Sequence, residues 1–309
     1  MKTLYTSALA LGLAAFAAPS FAQDIYFPII AKGFNHQFWQ AVKLGAENAA
    51  TAAGVTITFE GPETEAMIDK QTDMLNAAIA KNPQGLGFAA LDSQAQIPFL
   101  QKAADAGIPI VAFDSGVDSD LPLSTCSTNN HVAAGAAADH LGEATGGEGV
   151  IGMLVHDQTS MTGIQRRDGF KDQLAAKFPN VTIADIQYGG DALKATENAK
   201  AMLAAHPEIK AIFASNEGSA IGLLQAAKEL KSDILMVGFD SGKQQKDAIR
   251  DGSLFGSITQ NPVGIGECVV NSLVAATKGE TIEKNIDTGY YWYDKSNIDD
   301  PKVAAVLYD

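Results

Sequence analysis

The chain has 309 residues, with 36 Asp and Glu against 22 Lys and Arg, for a formal net charge of −14. Such a surface repels nucleic acid, and no basic cluster interleaved with aromatics offsets it, so no nucleic-acid partner is expected. The length allows two domains of ordinary size, each with its own core.

Taken in order, Lys2 is followed by an uncharged run from Leu4 to Ala18 and then by Ser20-Phe21-Ala22. A basic start, a short apolar stretch and small residues before the cut are the parts of a secretory signal peptide. Residues 1–22 are therefore expected to be a signal peptide cleaved after Ala22, leaving an exported protein. No later segment approaches the roughly 20 apolar residues of a membrane-spanning helix.

From Asp24 onward, short β-rich runs alternate with helical periods, punctuated by Gly, Pro and Asn. Strands are predicted at 25–31, 55–60, 85–89, 110–113, 124–127, 150–155, 181–188, 211–214, 234–239, 256–260 and 287–293. Helices are predicted at 37–53, 67–81, 96–105, 132–145, 163–178, 193–205, 220–230, 244–250 and 263–278. This alternation argues for an α/β chain with parallel sheets covered on both faces. Pro28 fits its strand poorly, because it brings no backbone donor.

At the first strand-to-helix junction, Lys32-Gly33-Phe34-Asn35-His36-Gln37-Phe38-Trp39 crowds three aromatics among polar side chains. Phe38 and Trp39 fall in the first helical turn, at the end of an open sheet where ligands bind. The alternative is that they are core residues or pack the helix entry.

The chain also echoes itself. Ile110-Val111-Ala112-Phe113-Asp114-Ser115-Gly116 is echoed by Leu235-Met236-Val237-Gly238-Phe239-Asp240-Ser241-Gly242. Asn82-Pro83 leading to Phe88 is matched by His206-Pro207 leading to Phe213, at nearly the same spacing. Two matched segments at one offset predict two similar α/β halves. Asp114 and Asp240 then occupy equivalent strand ends; taken singly, each reads as a turn-forming or capping residue.

Polar residues at predicted strand ends are Lys32, Asn35, His36, Asp92, Ser93 and Asp114 in the first half. In the second they are Asn129, Asn130, Asn216, Asp240 and Gln260, with Arg166 and Arg167 just inside a helix. Carboxylates, amides and a few cations among aromatics suit a neutral polyhydroxylated ligand. Ionised Asp accepts from several hydroxyls, amides both donate and accept, and aromatic faces cover the C–H patches of a sugar ring. There is no nucleophile elbow, no phosphate-binding loop and no His-Glu-x-x-His. Gly264-Ile265-Gly266 lacks the third small residue of a dinucleotide fingerprint and reads as helix packing. The five histidines show no metal-ligand spacing and read as surface or capping residues, with His36 alone placed for a ligand. Cys126 and Cys268 form no metal motif and are either paired in an oxidising compartment or two buried thiols.

These residues resemble the class I periplasmic sugar-binding proteins of bacterial ABC importers, close to the ribose and allose binders, over about Ile25 to Tyr293. The segment Asn35-His36-Gln37-Phe38-Trp39 matches the family's aromatic helix opening. Asp114, Arg166, Asn216, Phe239-Asp240 and Gln260 match its ligand positions, and Lys32 matches a lysine of the allose binders. The resemblance implies two Rossmann-like domains with parallel sheets, joined by three hinge crossovers with a ligand cleft between them, the periplasmic binding protein type I fold. The expected lobes are 23–128 with 261–289, and 129–260 with 290–309. It implies a monomeric periplasmic protein, without cofactor or metal, that captures a monosaccharide or sugar alcohol and delivers it to an inner-membrane ABC transporter permease. The expected ligand residues are Lys32, Asn35, His36, Phe38, Trp39, Asp114, Ser115, Asn129, Arg166, Asn216, Phe239, Asp240 and Gln260. It also puts the strand carrying Cys126 and the helix carrying Cys268 in one lobe near the hinge. Three departures argue against ribose itself: Ser115 in place of an arginine, His36 in place of an asparagine, and Gly190 where an aromatic commonly covers the far side of the sugar. Three rivals are weaker: a sugar-responsive repressor lacks its basic DNA-binding segment, a sugar-modifying enzyme rests on two carboxylates alone, and chemoreceptor signalling is compatible with import.

Overall fold

The computed structural model describes residues 25–34 and 36–308; the expected signal peptide and Asn35 lie outside the described residues. The chain opens with β1 (Tyr26–Ile30), α1 (Gln37–Ala53), β2 (Thr56–Glu60), α2 (Ile68–Ala80), β3 (Leu86–Phe88), α3 (Ile97–Asp105), β4 (Ile110–Phe113) and β5 (Ser124–Ser127). It continues with α4 (Asn130–Ala144), β6 (Glu148–Val155), α5 (Met161–Lys177), β7 (Asn180–Tyr188), α6 (Ala192–Ala205), β8 (Ile209–Ala214), α7 (Glu217–Leu230), β9 (Leu235–Phe239), α8 (Lys243–Asp251) and β10 (Gly256–Gln260). It closes with α9 (Pro262–Thr277), β11 (Asn285–Asp287), β12 (Tyr290–Asp294) and α10 (Pro301–Ala304).

Two six-stranded sheets result, ordered β11-β5-β4-β3-β1-β2 and β12-β10-β9-β8-β6-β7. The pairings are parallel except for β10 with β12. The two orders are the same arrangement repeated, with β4 and β9, the strands ending in Phe-Asp, in matching places. Each sheet is covered by helices on both faces, as parallel sheets require, and each lobe so formed has its own buried apolar core.

The chain crosses between the lobes three times: after β5, after β10, and between β11 and β12. The last crossing corrects the single strand expected at 287–293. Gly289 takes a left-handed φ of 82° there, breaking the run so that β11 joins the first sheet and β12 the second. The helix expected to start at residue 220 starts at Glu217, because Asn216 and Ser219 form a reciprocal capping box.

Pro28 is accommodated by position. Tyr26 and Ile30 present their carbonyls to the β3 side, so the missing Pro28 N–H falls there too, and the β3 ladder begins only at Ile29. Helices α1 and α9 meet through glycines: a Cβ at Gly45 would lie 2.0 Å from the Val263 carbonyl oxygen, and one at Gly266 2.0 Å from that of Val42. Gly266 is thus a packing residue, as its sequence context indicated. Cys126 on β5 and Cys268 on α9 are joined in a disulfide at the edge of the same core.

Candidate functional site

The carboxyl ends of the two sheets face one another, and the residues just past their strands close around a cavity of about 20 Å³. The first lobe contributes Lys32, His36, Phe38, Trp39, Glu65 and Asp114. From the second come His156, Thr162, Arg166, Asn216 and Asp240, with Gln260 at the second crossing. A space of that size holds about one water, so a saccharide enters only if the lobes part.

Asp114 and Asp240 terminate equivalent strands with φ of 55° and 76°, the left-handed region that residues with a Cβ rarely occupy. Such a backbone costs about 1–3 kcal/mol and persists where the surroundings enforce it, typically at functional positions. Their carboxylates differ in satisfaction. Asp240 accepts from the Gln260 amide at 2.7 Å and from the Glu217 backbone N–H at 2.9 Å, with Arg166 at 4.0 Å. The buried Asp114 carboxylate receives no hydrogen bond among the described residues; burial pushes it up to about 6, with Lys32 and Arg166 opposing.

Lys32, also buried, donates to the Thr162 hydroxyl across the cleft at 3.1 Å and lies 3.6 Å from Glu65 and 3.9 Å from Asp157. Burial alone would lower its pKa, but the surrounding carboxylates of Glu65, Asp157 and Asp114 hold it above the ordinary lysine value. Glu65 is the converse: burial works against its charge, and Lys32, assisted by the 2.7 Å hydrogen bond from the Trp39 indole, brings it down to about 2. Arg166 is clamped by Asn130 at 2.7 Å and the Ser215 carbonyl at 2.8 Å, and its guanidinium lies 3.8 Å from the centre of the Phe239 ring. His156 bridges Ser215 at 2.7 Å and Thr162 at 3.1 Å; burial lowers its pKa and keeps the ring neutral. Two buried atoms that face no protein partner, His36 Nε2 and Gln260 Oε1, sit on residues of the cavity wall.

A second set of contacts holds the lobes together. The Glu217 carboxylate accepts the Gln37 and Phe38 N–H groups at 3.1 and 3.2 Å. The N-cap residue of α1, His36, makes no side-chain cap bond, so this helix of the first lobe is capped by a carboxylate of the second. Tyr308 donates to Glu217 at 3.4 Å, accepts from the Ser241 N–H at 3.2 Å, and packs edge-on against Phe38.

The structure thus gathers Lys32, His36, Phe38, Trp39, Asp114, Arg166, Asn216, Asp240 and Gln260 at one cavity. Phe38 and Trp39 line this cavity and are at the same time members of the first core. Three expected residues are elsewhere. Asn129 is exposed and caps α4, because the crossing leads straight into that helix, and Asn130 takes the inward place. Ser115 is buried beside the cavity without lining it. Phe239 lies under Arg166 as a platform. Arg167 turns away to pair with Asp168. Glu65, His156, Thr162 and Glu217 were missed; His156 corrects its reading as a surface residue, and its position directly after β6 was the signal available. Among the described residues no group of three His, Cys, Asp or Glu side chains is arranged to hold a metal ion, and no helix is long and apolar enough to cross a membrane.

A profile of the periplasmic binding protein domain matches residues 26–281. The chain belongs to this family. Among curated proteins, this periplasmic binding protein is 27% identical over 283 residues to the D-allose-binding periplasmic protein of Escherichia coli K12, covering 87% of this chain and 88% of that one. Among solved structures it is similar to an ABC transporter solute-binding protein from Agrobacterium vitis bound with α-D-tagatopyranose, at 31% identity and a TM-score of 0.89, covering 93% and 100% of the two chains. A carbohydrate transporter solute-binding protein from Agrobacterium radiobacter in complex with D-arabinose gives 30% identity, the same TM-score and the same coverage.

Proposed function

We propose that this protein is the saccharide-capturing component of an ABC importer, taking one neutral sugar or sugar alcohol between its lobes and releasing it unchanged to a membrane permease. The observation that carries this reading is the pair of strand-end carboxylates, Asp114 and Asp240, brought from duplicated segments to opposite walls of one cavity. Ionised carboxylates there accept from ligand hydroxyls, while Lys32 and Arg166 limit the cost of burying them. His36 Nε2 and the Gln260 oxygen offer a further partner each, and Phe38 and Trp39 present apolar faces. The relatives' ligands, allose, tagatose and arabinose, are of the same chemical class.

In this reading the lobes are residues 23–128 with 261–289, and 129–260 with 290–309. The membership of β11 in the first sheet and β12 in the second supports that division. Tyr308 nonetheless ties the tail to Phe38 of the first lobe. The ligand set is Lys32, His36, Phe38, Trp39, Asp114, Arg166, Asn216, Asp240 and Gln260, and Glu65, His156 and Thr162 join it. Export with cleavage after Ala22, a periplasmic location and a monomeric state complete the proposal.

A thermal-shift panel of aldoses, ketoses and pentitols, including D-allose, D-tagatose, D-arabinose and D-ribose, tests it. One or a few saccharides should stabilise the protein. Stabilisation by amino acids or nucleotides, with none by any saccharide, would reject it.

A further inference from the structure

A second cavity adjoins the first, toward the edge of the cleft farthest from the chain crossings. It measures about 310 Å³ and shares His36, Glu65 and His156 with the cavity already described. The loops that form it follow β2 and β7. These are the edge strands of their sheets, at the opposite side from β11, β5, β10 and β12, where the chain crosses. At roughly 30 Å³ per water, its volume corresponds to on the order of ten waters, the bulk of one further sugar ring.

Gly190 closes the β7–α6 loop over the amino end of α7, and a Cβ at Gly218 would lie 1.9 Å from the Gly190 carbonyl oxygen. A Cβ at Gly190 would in turn lie 2.9 Å from that of His156 and 3.0 Å from the Asn216 amide. The loop is therefore packed tightly against the second lobe, and its backbone, with Asp191, lines one side of the cavity. Its walls are of two kinds: Ala66, Ile68 and Leu91 give an apolar side, facing Asp157, Thr159, Asp191, Lys194 and the Gly189–Gly190 backbone. Apolar carbons opposite hydroxyl and peptide groups match the two faces of a pyranose or furanose ring. The His36 ring stands at the junction of the two cavities, and its Nε2 is a buried polar atom with no protein partner.

We infer that the ligand extends beyond one ring: a disaccharide whose first unit sits between Asp114 and Asp240, whose linkage passes His36, and whose second unit fills the space beside Gly190. This rests on the saccharide reading above and narrows it.

The test uses the mature full-length protein and calorimetric titration with three probe sets: free monosaccharides, their methyl glycosides, and disaccharides carrying the same unit at either end. At least one disaccharide should bind tenfold or more tighter than its free monosaccharide. Ala66→Trp, a substitution at an exposed wall residue outside the inner cavity, should remove that tenfold gain and leave the monosaccharide within twofold. Lys194→Trp, approaching from the opposite wall, should act in the same way if Ala66→Trp fails to fold. Monosaccharides that bind while no disaccharide binds tighter would overturn the two-ring ligand and leave the saccharide reading standing. So would a disaccharide gain that survives both tryptophans. Failure of every saccharide, long or short, would overturn both.

Discussion

Asp114 carries the most informative single-residue prediction, because it is buried, left-handed and without a hydrogen-bond donor of its own. Ligand hydroxyls would donate to its ionised form, so binding pulls its pKa down from about 6. Below pH 6 the free protein holds a proton that binding must expel, so affinity should fall by up to tenfold per pH unit on acidification. Titration at pH 7.5, 6.0 and 5.0 measures this, and Asp114→Asn should flatten the profile; an unchanged slope in that variant would assign the proton elsewhere. Asp114→Ala and Asp240→Ala should each weaken binding by about 2–5 kcal/mol, by removing charge-assisted bonds in a closed cleft. If both variants stay within about twofold of the parent, the two-sided site is wrong. Most of this set was legible because strand-end placement is a local property of the pattern. His156 obeys the same rule, and its reading as a surface or capping residue overlooked its place directly after β6. Glu65 and Glu217 were not legible: one depends on Lys32 and Trp39 approaching it, the other on a helix of the opposite lobe.

Elements were read best where their ends carry their own punctuation. The bounds of α1, 37–53, coincide with the expectation because Gly54 supplies a left-handed cap accepting no side-chain strain. The pair β11 and β12 was fused because three-residue strands leave little periodicity, and only the sheet they join distinguishes them. The contact between α1 and α9 lies between these extremes, since the glycines are visible in sequence and their partners are not. Gly266→Ala would press a methyl against the Val42 carbonyl. It should cost about 1–3 kcal/mol through displacement of two packed backbones. Thermal denaturation should therefore show a lower midpoint, whereas Gly279→Ala, where nothing lies within 4 Å of the added carbon, reports the strain of a positive φ alone. An unchanged midpoint in Gly266→Ala would show that this close approach of the helices does not constrain the fold.

At the scale of the whole molecule, the lobes are held in register by a borrowed cap, the Glu217 carboxylate on the first turn of α1. Burial raises the pKa of this carboxyl, with His36 opposing and Asp240 adding to the rise. Asp240 also fixes the Glu217 backbone, so a ligand drawn to Asp240 acts on the latch through one residue. Glu217→Ala should weaken saccharide binding by roughly 1–3 kcal/mol, the worth of hydrogen bonds to a charged group, and should leave the free protein more open. Small-angle scattering would show the larger radius of gyration, and no change in radius or affinity would mean that closure is set elsewhere. None of this could be read from sequence, because residues 37 and 217 meet only when both lobes exist. The Cys126–Cys268 bond belongs to this scale as well. It lies just before the first crossing and just after the second, so the backbone from 127 to 267 forms a loop pinched shut at its neck. A protease that cuts once within that loop leaves two polypeptides that still migrate as one until a reductant is added. During synthesis, the first lobe also cannot finish its sheet until β11 arrives, after every strand of the second except β12 has been made. The amino-terminal lobe is therefore completed only when most of its neighbour has been made, and its covalent bond seals a chain that has already delivered five of that neighbour's six strands.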